Sequence, residues 1–203
     1  MTIALIEDDE ATLHSLDLLL QRRGIETRSF NSVEAFLAAR HDFVPACIVS
    51  DVRLPGLSGL DLQRELKREG RSIPLILITG HGDIAMAVAA IKDGAFDFIE
   101  KPYNADQLIA SIEKALTSGE KIRHKEDQKA DILARIAELS PRQREVMQLV
   151  AEGLSNKQIA FQLGISQRTV ENYRAWVMER LDAANVAELV RQVLLVQAND
   201  ESA

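Results

Sequence analysis

One cysteine, Cys47, occurs in 203 residues, so no internal disulfide can form. That scarcity fits a reducing compartment. Cys47 sits inside an apolar run and reads as a buried, inert thiol. No apolar stretch reaches the ~18–20 residues of a membrane span, and the N-terminus lacks a basic segment followed by an apolar one. A cytoplasmic protein with no membrane partner is expected. The four histidines (His14, His41, His81, His124) lie far apart without metal-ligand spacing, so zinc chemistry has no support. His81, between glycines in a loop, reads as structural. There are no internal repeats and no low-complexity tract.

Excess positive charge is also missing. The net charge is −7. Residues 1–116 hold 12 Lys/Arg against 18 Asp/Glu, residues 117–139 hold 5 of each, and residues 140–203 hold 7 against 8, with Asp200 and Glu201 in the terminal tail. This charge argues against indiscriminate nucleic-acid binding, while a local patch in the last third is permitted.

What is present suits two domains: 46% hydrophobic residues and 27% charged ones. The first 116 residues alternate short apolar runs with helical periodicity, the signal of a parallel sheet flanked by helices. Leu13, Leu16, Leu19 and Leu20 mark one helix face before Gly24. Glu26–Phe30 alternates as a strand, and Asn31 offers an N-cap with Glu34 three residues on. A helix capped by Ser58 follows, then a doubly buried strand to Thr79 and a helix over Ile84–Lys92. A strand over Ala95–Ile99 and a helix over Ala105–Leu116 complete a (βα)5 domain, an α/β fold. The mostly polar stretch 117–139 suits either a continuing helix or a loose tether. Residues 140–198 are helical throughout. Ser140-Pro141 opens a helix toward Gly153, Ser155 or Asn156 caps a second through Leu163, Ser166 caps a third to about Leu181, and Val186, Leu189, Val190, Val193 and Leu194 stripe a fourth.

Four apolar runs in the first domain end on chemistry-bearing residues: Glu7-Asp8, Asp51, Thr79 and Lys101. In an open parallel sheet, ligands bind beyond the carboxyl ends of the strands. Carboxylates, a hydroxyl and an amine converging there can serve phosphoryl transfer to an aspartate. The repulsion among carboxylates and a phosphoryl group calls for a hard divalent cation, and Mg²⁺ suits that role. Glu7 and Asp8 supply the acidic pocket, the Arg53 backbone carbonyl lies close enough to Asp51 to complete it, and Lys101 and Thr79 can each meet a phosphate oxygen. Phe98 and Thr79 each have a plainer use, as core and as a β-branched strand residue. An enzyme with an aspartyl nucleophile would need an acid two residues after Asp51, where Arg53 stands.

The texts Glu7-Asp8-Asp9, Asp51-Val52-Arg53-Leu54-Pro55-Gly56-Leu57-Ser58-Gly59, Thr79-Gly80-His81-Gly82-Asp83 and Phe98-Ile99-Glu100-Lys101-Pro102 resemble the receiver domains of two-component response regulators. The resemblance implies a flavodoxin-like strand order 2-1-3-4-5, Asp51 as phosphoacceptor and Glu7, Asp8, Asp51 and the Arg53 carbonyl around Mg²⁺. It also implies Thr79 and Lys101 as phosphate sensors, Phe98 as an aromatic switch and a cis Lys101-Pro102 peptide. Glu7 departs from the commoner Asp, which bears on metal geometry rather than on function.

In the last third, Asn156–Leu163, Gly164-Ile165-Ser166 and Gln167–Leu181 read as helix, turn and helix. Val170, Tyr173, Val177 and Leu181 form the inward face, so Glu171, Asn172 and Ala175 point away from it, with Arg168, Thr169 and Arg174 near the entry side. A plain helical hairpin, a dimerisation module or a protein-binding domain shares this pattern. The texts 139–146, 153–160 and 165–174 are similar to LuxR-type DNA-binding domains, and the whole chain resembles the FixJ/NarL family, leaning to the FixJ branch. The resemblance implies a receiver over 1–118, a linker over 119–138 and a four-helix DNA-binding domain over 139–203. Glu171, Asn172 and Ala175 would face base edges, with Arg142, Lys157, Arg168 and Arg174 on phosphates. The apolar last helix would form a DNA-bound dimer interface across half-sites ~34 Å apart. Implied partners are a sensor histidine kinase, promoter DNA, a second copy upon phosphorylation, and RNA polymerase.

Overall fold

The computed structural model describes residues 1–80 and 84–197. His81, Gly82 and Asp83 of the third receiver-like text lie outside the described residues, as do Asp200 and Glu201. Two compact units divide the chain, Met1–Arg123 and His124–Ala203.

In the first unit, β1 (Thr2–Ile6), β2 (Glu26–Phe30), β3 (Cys47–Asp51), β4 (Leu75–Thr79) and β5 (Asp97–Glu100) form one parallel sheet in the order β2-β1-β3-β4-β5. β3 and β4 are buried at every residue and β1 at all but its first, which is why they read as unbroken apolar runs. Edge strand β2 keeps only Phe30 fully inside. Because side chains alternate across a strand, Ile3, Leu5, Cys47, Val49, Ile76 and Ile78 face one core, against Leu16 and Leu20 of α1 (Glu10–Gln21) and Leu108, Ile109 and Ile112 of α5 (Ala105–Ala137). Ala4, Ile6, Ile48, Leu75 and Leu77 face the other, against α2 (Val33–Ala39), α3 (Gly59–Arg68) and Ala90 of α4 (Ile84–Lys92). The strand order reverses between β1 and β3, which opens the crevice at their carboxyl ends.

Local chemistry sets the element boundaries. Asp9 caps α1 by accepting from the Thr12 amide at 2.7 Å, and Ser58 caps α3 in a reciprocal box with Asp61. The cap of α2 is Ser32, not Asn31: the Ser32 hydroxyl accepts from the Ala35 amide. Glu34 is thereby released from any capping box, and its carboxylate accepts from the Leu57 amide instead. β5 begins two residues later than its apolar text suggests. α5 runs twenty-one residues past Leu116, through Gly119. Glycine is tolerated there because the helix passes close to the base of the sheet: a Cβ at 119 would lie 3.1 Å from the Ala46 carbonyl oxygen and 3.2 Å from Pro74.

In the second unit, α6 (Pro141–Ala151), α7 (Asn156–Leu163), α8 (Gln167–Arg180) and α9 (Val186–Gln197) enclose Val146, Val150, Ile159, Val170, Val177, Leu181, Leu189 and Val193, with Ile136 of α5 against them. Ser140, Ser155 and Ser166 are the three N-caps, the first two in reciprocal boxes with Gln143 and Gln158. Such a cap is worth about 1 kcal/mol. Gly164 ends α7 at φ +64°, the left-handed conformation that lets the chain turn into α8.

Candidate phosphoacceptor site and nucleic-acid face

The carboxyl ends of β1, β3 and β5 bring Glu7, Asp51 and Lys101 together. The Lys101 ammonium donates to Glu7 Oε2 at 2.7 Å and to Asp51 Oδ2 at 2.5 Å. Partners 94 and 50 positions from Lys101 in sequence thus meet through strand order alone. Glu7 and Asp51 are 5% and 9% exposed, so both charges are largely removed from water. The other Asp51 oxygen, Oδ1, accepts from the Arg53 amide at 2.7 Å. Thr79 is wholly buried at the end of β4, and its carbonyl accepts from the Lys101 amide at 2.7 Å. The Lys101-Pro102 peptide is cis. Phe98, opposite Leu77 in register, is half-buried and packs against the α2–α4 core.

The electrostatics are lopsided. Burial pushes the Glu7 carboxyl above its ordinary range; the Lys101 ammonium opposes this and the Asp51 carboxylate adds to it. Burial would lower Lys101, but its hydrogen bonds to Asp51 and Glu7 outweigh that and hold the ammonium above its ordinary value. Charge is thus favoured on Lys101 and disfavoured on Glu7, because one ammonium cannot compensate two buried carboxylates. Asp8, exposed and next in sequence, adds a further negative charge. This deficit fits the divalent cation expected among Glu7, Asp8, Asp51 and the Arg53 carbonyl. Among the described residues no three His, Cys, Asp or Glu side chains form a ready-made cage. Mg²⁺ needs none, since it binds through one or two carboxylates and keeps several waters. The third acid, Asp9, serves as the α1 cap. Hydrogen bonds from the Thr12 side chain and amide hold its carboxyl below the ordinary range.

One participant is read from the sequence in another role, and one is missed. Arg53, expected to offer its carbonyl, touches Asp51 through its amide. Tyr103 is half-buried, and its hydroxyl is raised chiefly by burial, with Lys101, Glu7 and Asp51 also acting on it.

On the helical unit, Arg168, Glu171, Asn172, Ala175 and Lys157 are exposed, as the inward stripe of α8 requires. Thr169 is half-buried; its hydroxyl lies 2.8 Å from that of Ser166 and its amide donates to the same oxygen. Two of the basic residues are already engaged. Arg142 donates to Glu145 at 2.5 Å and to the Leu163 carbonyl at the end of α7 at 3.0 Å. Arg174 donates to Asn156 Oδ1 at 2.5 Å, tying α8 to the start of α7. Both arginines hold the helix–turn–helix in shape.

A doubly wound sheet with an acidic pocket and a lysine at its carboxyl edge, followed by a capped helix–turn–helix, is the architecture of a response regulator. Residues 3–113 match the response regulator receiver domain, and residues 137–193 match the bacterial regulatory proteins of the luxR family. The transcriptional regulatory protein FixJ of Bradyrhizobium diazoefficiens is 46% identical over 189 residues, covering 93% of this chain and 92% of that protein. FixJ of Azorhizobium caulinodans is 44% identical over 195 residues, 96% of this chain and 92% of its own. Among solved structures, the response regulator StyR matches with TM-score 0.79 at 35% identity over 95% of this chain and 97% of its own. Full-length FixJ from B. japonicum matches at 0.59 and 44% identity, over 97% of each chain. The chain belongs to the FixJ-type response regulators: it is a phosphorylation-dependent transcriptional regulator of a two-component system, with a kinase and promoter DNA as partners. Among the described residues no helix is long and apolar enough to cross a membrane.

Proposed function

We propose that Asp51 accepts a phosphoryl group from a histidine kinase and that the helical unit converts the event into promoter binding. The observation that carries this reading is the Lys101 ammonium shared between two buried carboxylates. Glu7, Asp8, Asp51 and the Arg53 carbonyl would hold Mg²⁺, which when bound supplies the positive charge that lets a phosphoryl group approach Asp51. The Arg53 amide fixes Oδ1, leaving Oδ2 to form the new bond to phosphorus as the bond from phosphorus to the donor histidine nitrogen breaks. Lys101 then transfers its hydrogen bond from Oδ2 to a phosphoryl oxygen, and the Thr79 hydroxyl donates to another. Movement of Thr79 draws Phe98 inward. The chain catalyses nothing further beyond self-phosphorylation from a small donor and slow loss of the phosphate.

The output uses exposed apolar surface. Ile84, Val88 and Ile91 recur at helical spacing on α4 and are all exposed, Ile84 at 82%. This stripe suits pairing of phosphorylated receivers. Leu194 and Val186 on α9 suit pairing of DNA-bound helical domains. Asn172, Glu171 and Ala175 read base edges, Arg168 and Lys157 meet phosphates, and Arg142, Thr169 and Arg174 position that face. Residues 1–118 act as receiver, 119–138 as a helical linker and 139–203 as DNA reader. The site of action is the cytoplasm, where promoter DNA and RNA polymerase are found. The decisive test incubates wild type and Asp51→Asn with acetyl phosphate and Mg²⁺, then measures phosphorylation, dimerisation and promoter binding. All three rise for wild type alone; a variant that matched it would sink the proposal.

A further inference from the structure

The loop between β3 and α3 carries Arg53, and its two ends are well held. At one end the Arg53 amide donates to Asp51, and Leu54 is buried in the core. At the other, the Gly59 amide donates to the Val52 carbonyl, and Ser58 and Asp61 close the helix cap. The tip, Pro55-Gly56-Leu57, is exposed. Among the described residues its one hydrogen bond to another element runs from the Leu57 amide to Glu34 Oε1 at 2.8 Å, across 23 residues of sequence. A carboxylate acceptor makes this bond stronger than a neutral one. Glu34 lies in the first turn of α2, where the helix dipole favours its charge. Gly56 completes the fit: at φ +79° it takes a conformation that other residues avoid, and a Cβ there would lie only 2.4 Å from Glu34 Oε1.

We propose that Glu34 is a positioning residue for phosphoryl transfer, clamping the β3–α3 loop so that the Arg53 backbone stays aimed at Asp51 and at the bound Mg²⁺. This rests on Asp51 being the phosphoacceptor. Glu34 touches neither the reacting atoms nor the cation. Its influence passes along the backbone from Leu57 to Arg53, so it governs the pocket's shape rather than its charge. Gln keeps the acceptor oxygen, Ala removes it, and Ala at position 56 expels the carboxylate while leaving residue 34 intact.

The test measures Mg²⁺ affinity by calorimetry on the full chain, alongside acetyl phosphate kinetics and thermal unfolding. Glu34→Ala should weaken Mg²⁺ about three- to tenfold, the scale of one modest net hydrogen bond. Glu34→Gln should lose clearly less than Glu34→Ala, since its acceptor survives without the charge. Gly56→Ala should weaken Mg²⁺ at least as much as Glu34→Ala, since backbone strain at φ +79° adds to the lost contact, and adding Glu34→Ala to it should weaken Mg²⁺ no further, the signature of a shared contact. If Glu34→Ala lowers the melting temperature but binds Mg²⁺ as wild type does, Glu34 is only structural and the proposal is overturned. It is equally overturned if Glu34→Gln loses as much as Glu34→Ala, or if the two alanine effects simply add. Should wild type itself show neither Mg²⁺ binding nor phosphorylation, the reading of Asp51 fails first.

Discussion

The two candidate sites are built by opposite means. At the strand ends, two buried carboxylates and a partly exposed ammonium are set within hydrogen-bond reach, and burial disfavours the charge on Glu7 despite the ammonium. On the helix–turn–helix, polar side chains stay in solvent on a frame fixed by caps, a left-handed glycine and two engaged arginines. The first site holds electrostatic tension that added charge can release. The second is a rigid surface already in shape. A switch needs the former and a reader the latter, because only an element poised between two states responds to a small charge.

The sharpest way to break this contrast is Asp51→Asn, expected to abolish phosphorylation altogether, as read on a phosphate-affinity gel with acetyl phosphate. Lys101→Met should come next. Removing the shared ammonium should cost about 1–3 kcal/mol in urea unfolding, below the full penalty for a buried pair because Lys101 is partly exposed. The pH dependence follows from Glu7. Its folded-state value lies above the ordinary 4.5, so the stability it lends by taking a proton is complete below 4.5 and is lost as pH rises through the folded value. The Lys101→Met deficit should therefore shrink on acidification toward 4.5 and be greatest near neutrality. A pH-independent deficit would mean that the tension is not electrostatic.

On the reader, Asn172→Ala should cost about 1–3 kcal/mol on the preferred half-site and relax discrimination at one base. Equal loss on every sequence would make Asn172 a positioning residue. Arg142→Ala should lower stability by about 1 kcal/mol through its lost bond to the Leu163 carbonyl, while the salt dependence of DNA binding stays unchanged. The smallest effect is expected from Lys157→Ala: stability kept, and the salt slope reduced by about one. Arg142 and Lys157 behaving alike would erase the distinction between frame and contact.

Much of this contrast is legible in the text of the chain. Continuous apolar runs announce β1, β3 and β4, and Glu7 and Asp51, which end the first two, are gathered with Lys101 by the strand order. Ser140 and Ser166 announce their helices because a cap is a local signal, and of Ser155 and Asn156 it is Ser155 that caps α7. What escapes is non-local. Nothing near Arg142 or Arg174 in sequence says that each is engaged by α7, since Leu163 and Asn156 are 21 and 18 residues away. Asn31 and Ser32 are both good caps, and backbone geometry rather than propensity chose Ser32. The stretch after Leu116 stays open in the sequence between a continuing helix and a tether, and α5 takes the first course through Gly119, beside the Ala46 carbonyl.

Cys47 has a practical consequence. It is wholly enclosed at the start of β3, and burial pushes its thiol up to about 12. Thiol reagents will therefore pass over the native protein, and a cysteine introduced on the α4 stripe or on α9 would be the sole reactive handle for a spin label or fluorophore. The same silence makes Cys47 a clock. It reacts only when the sheet opens, so the rate at which it is alkylated reports the population of the opened sheet directly.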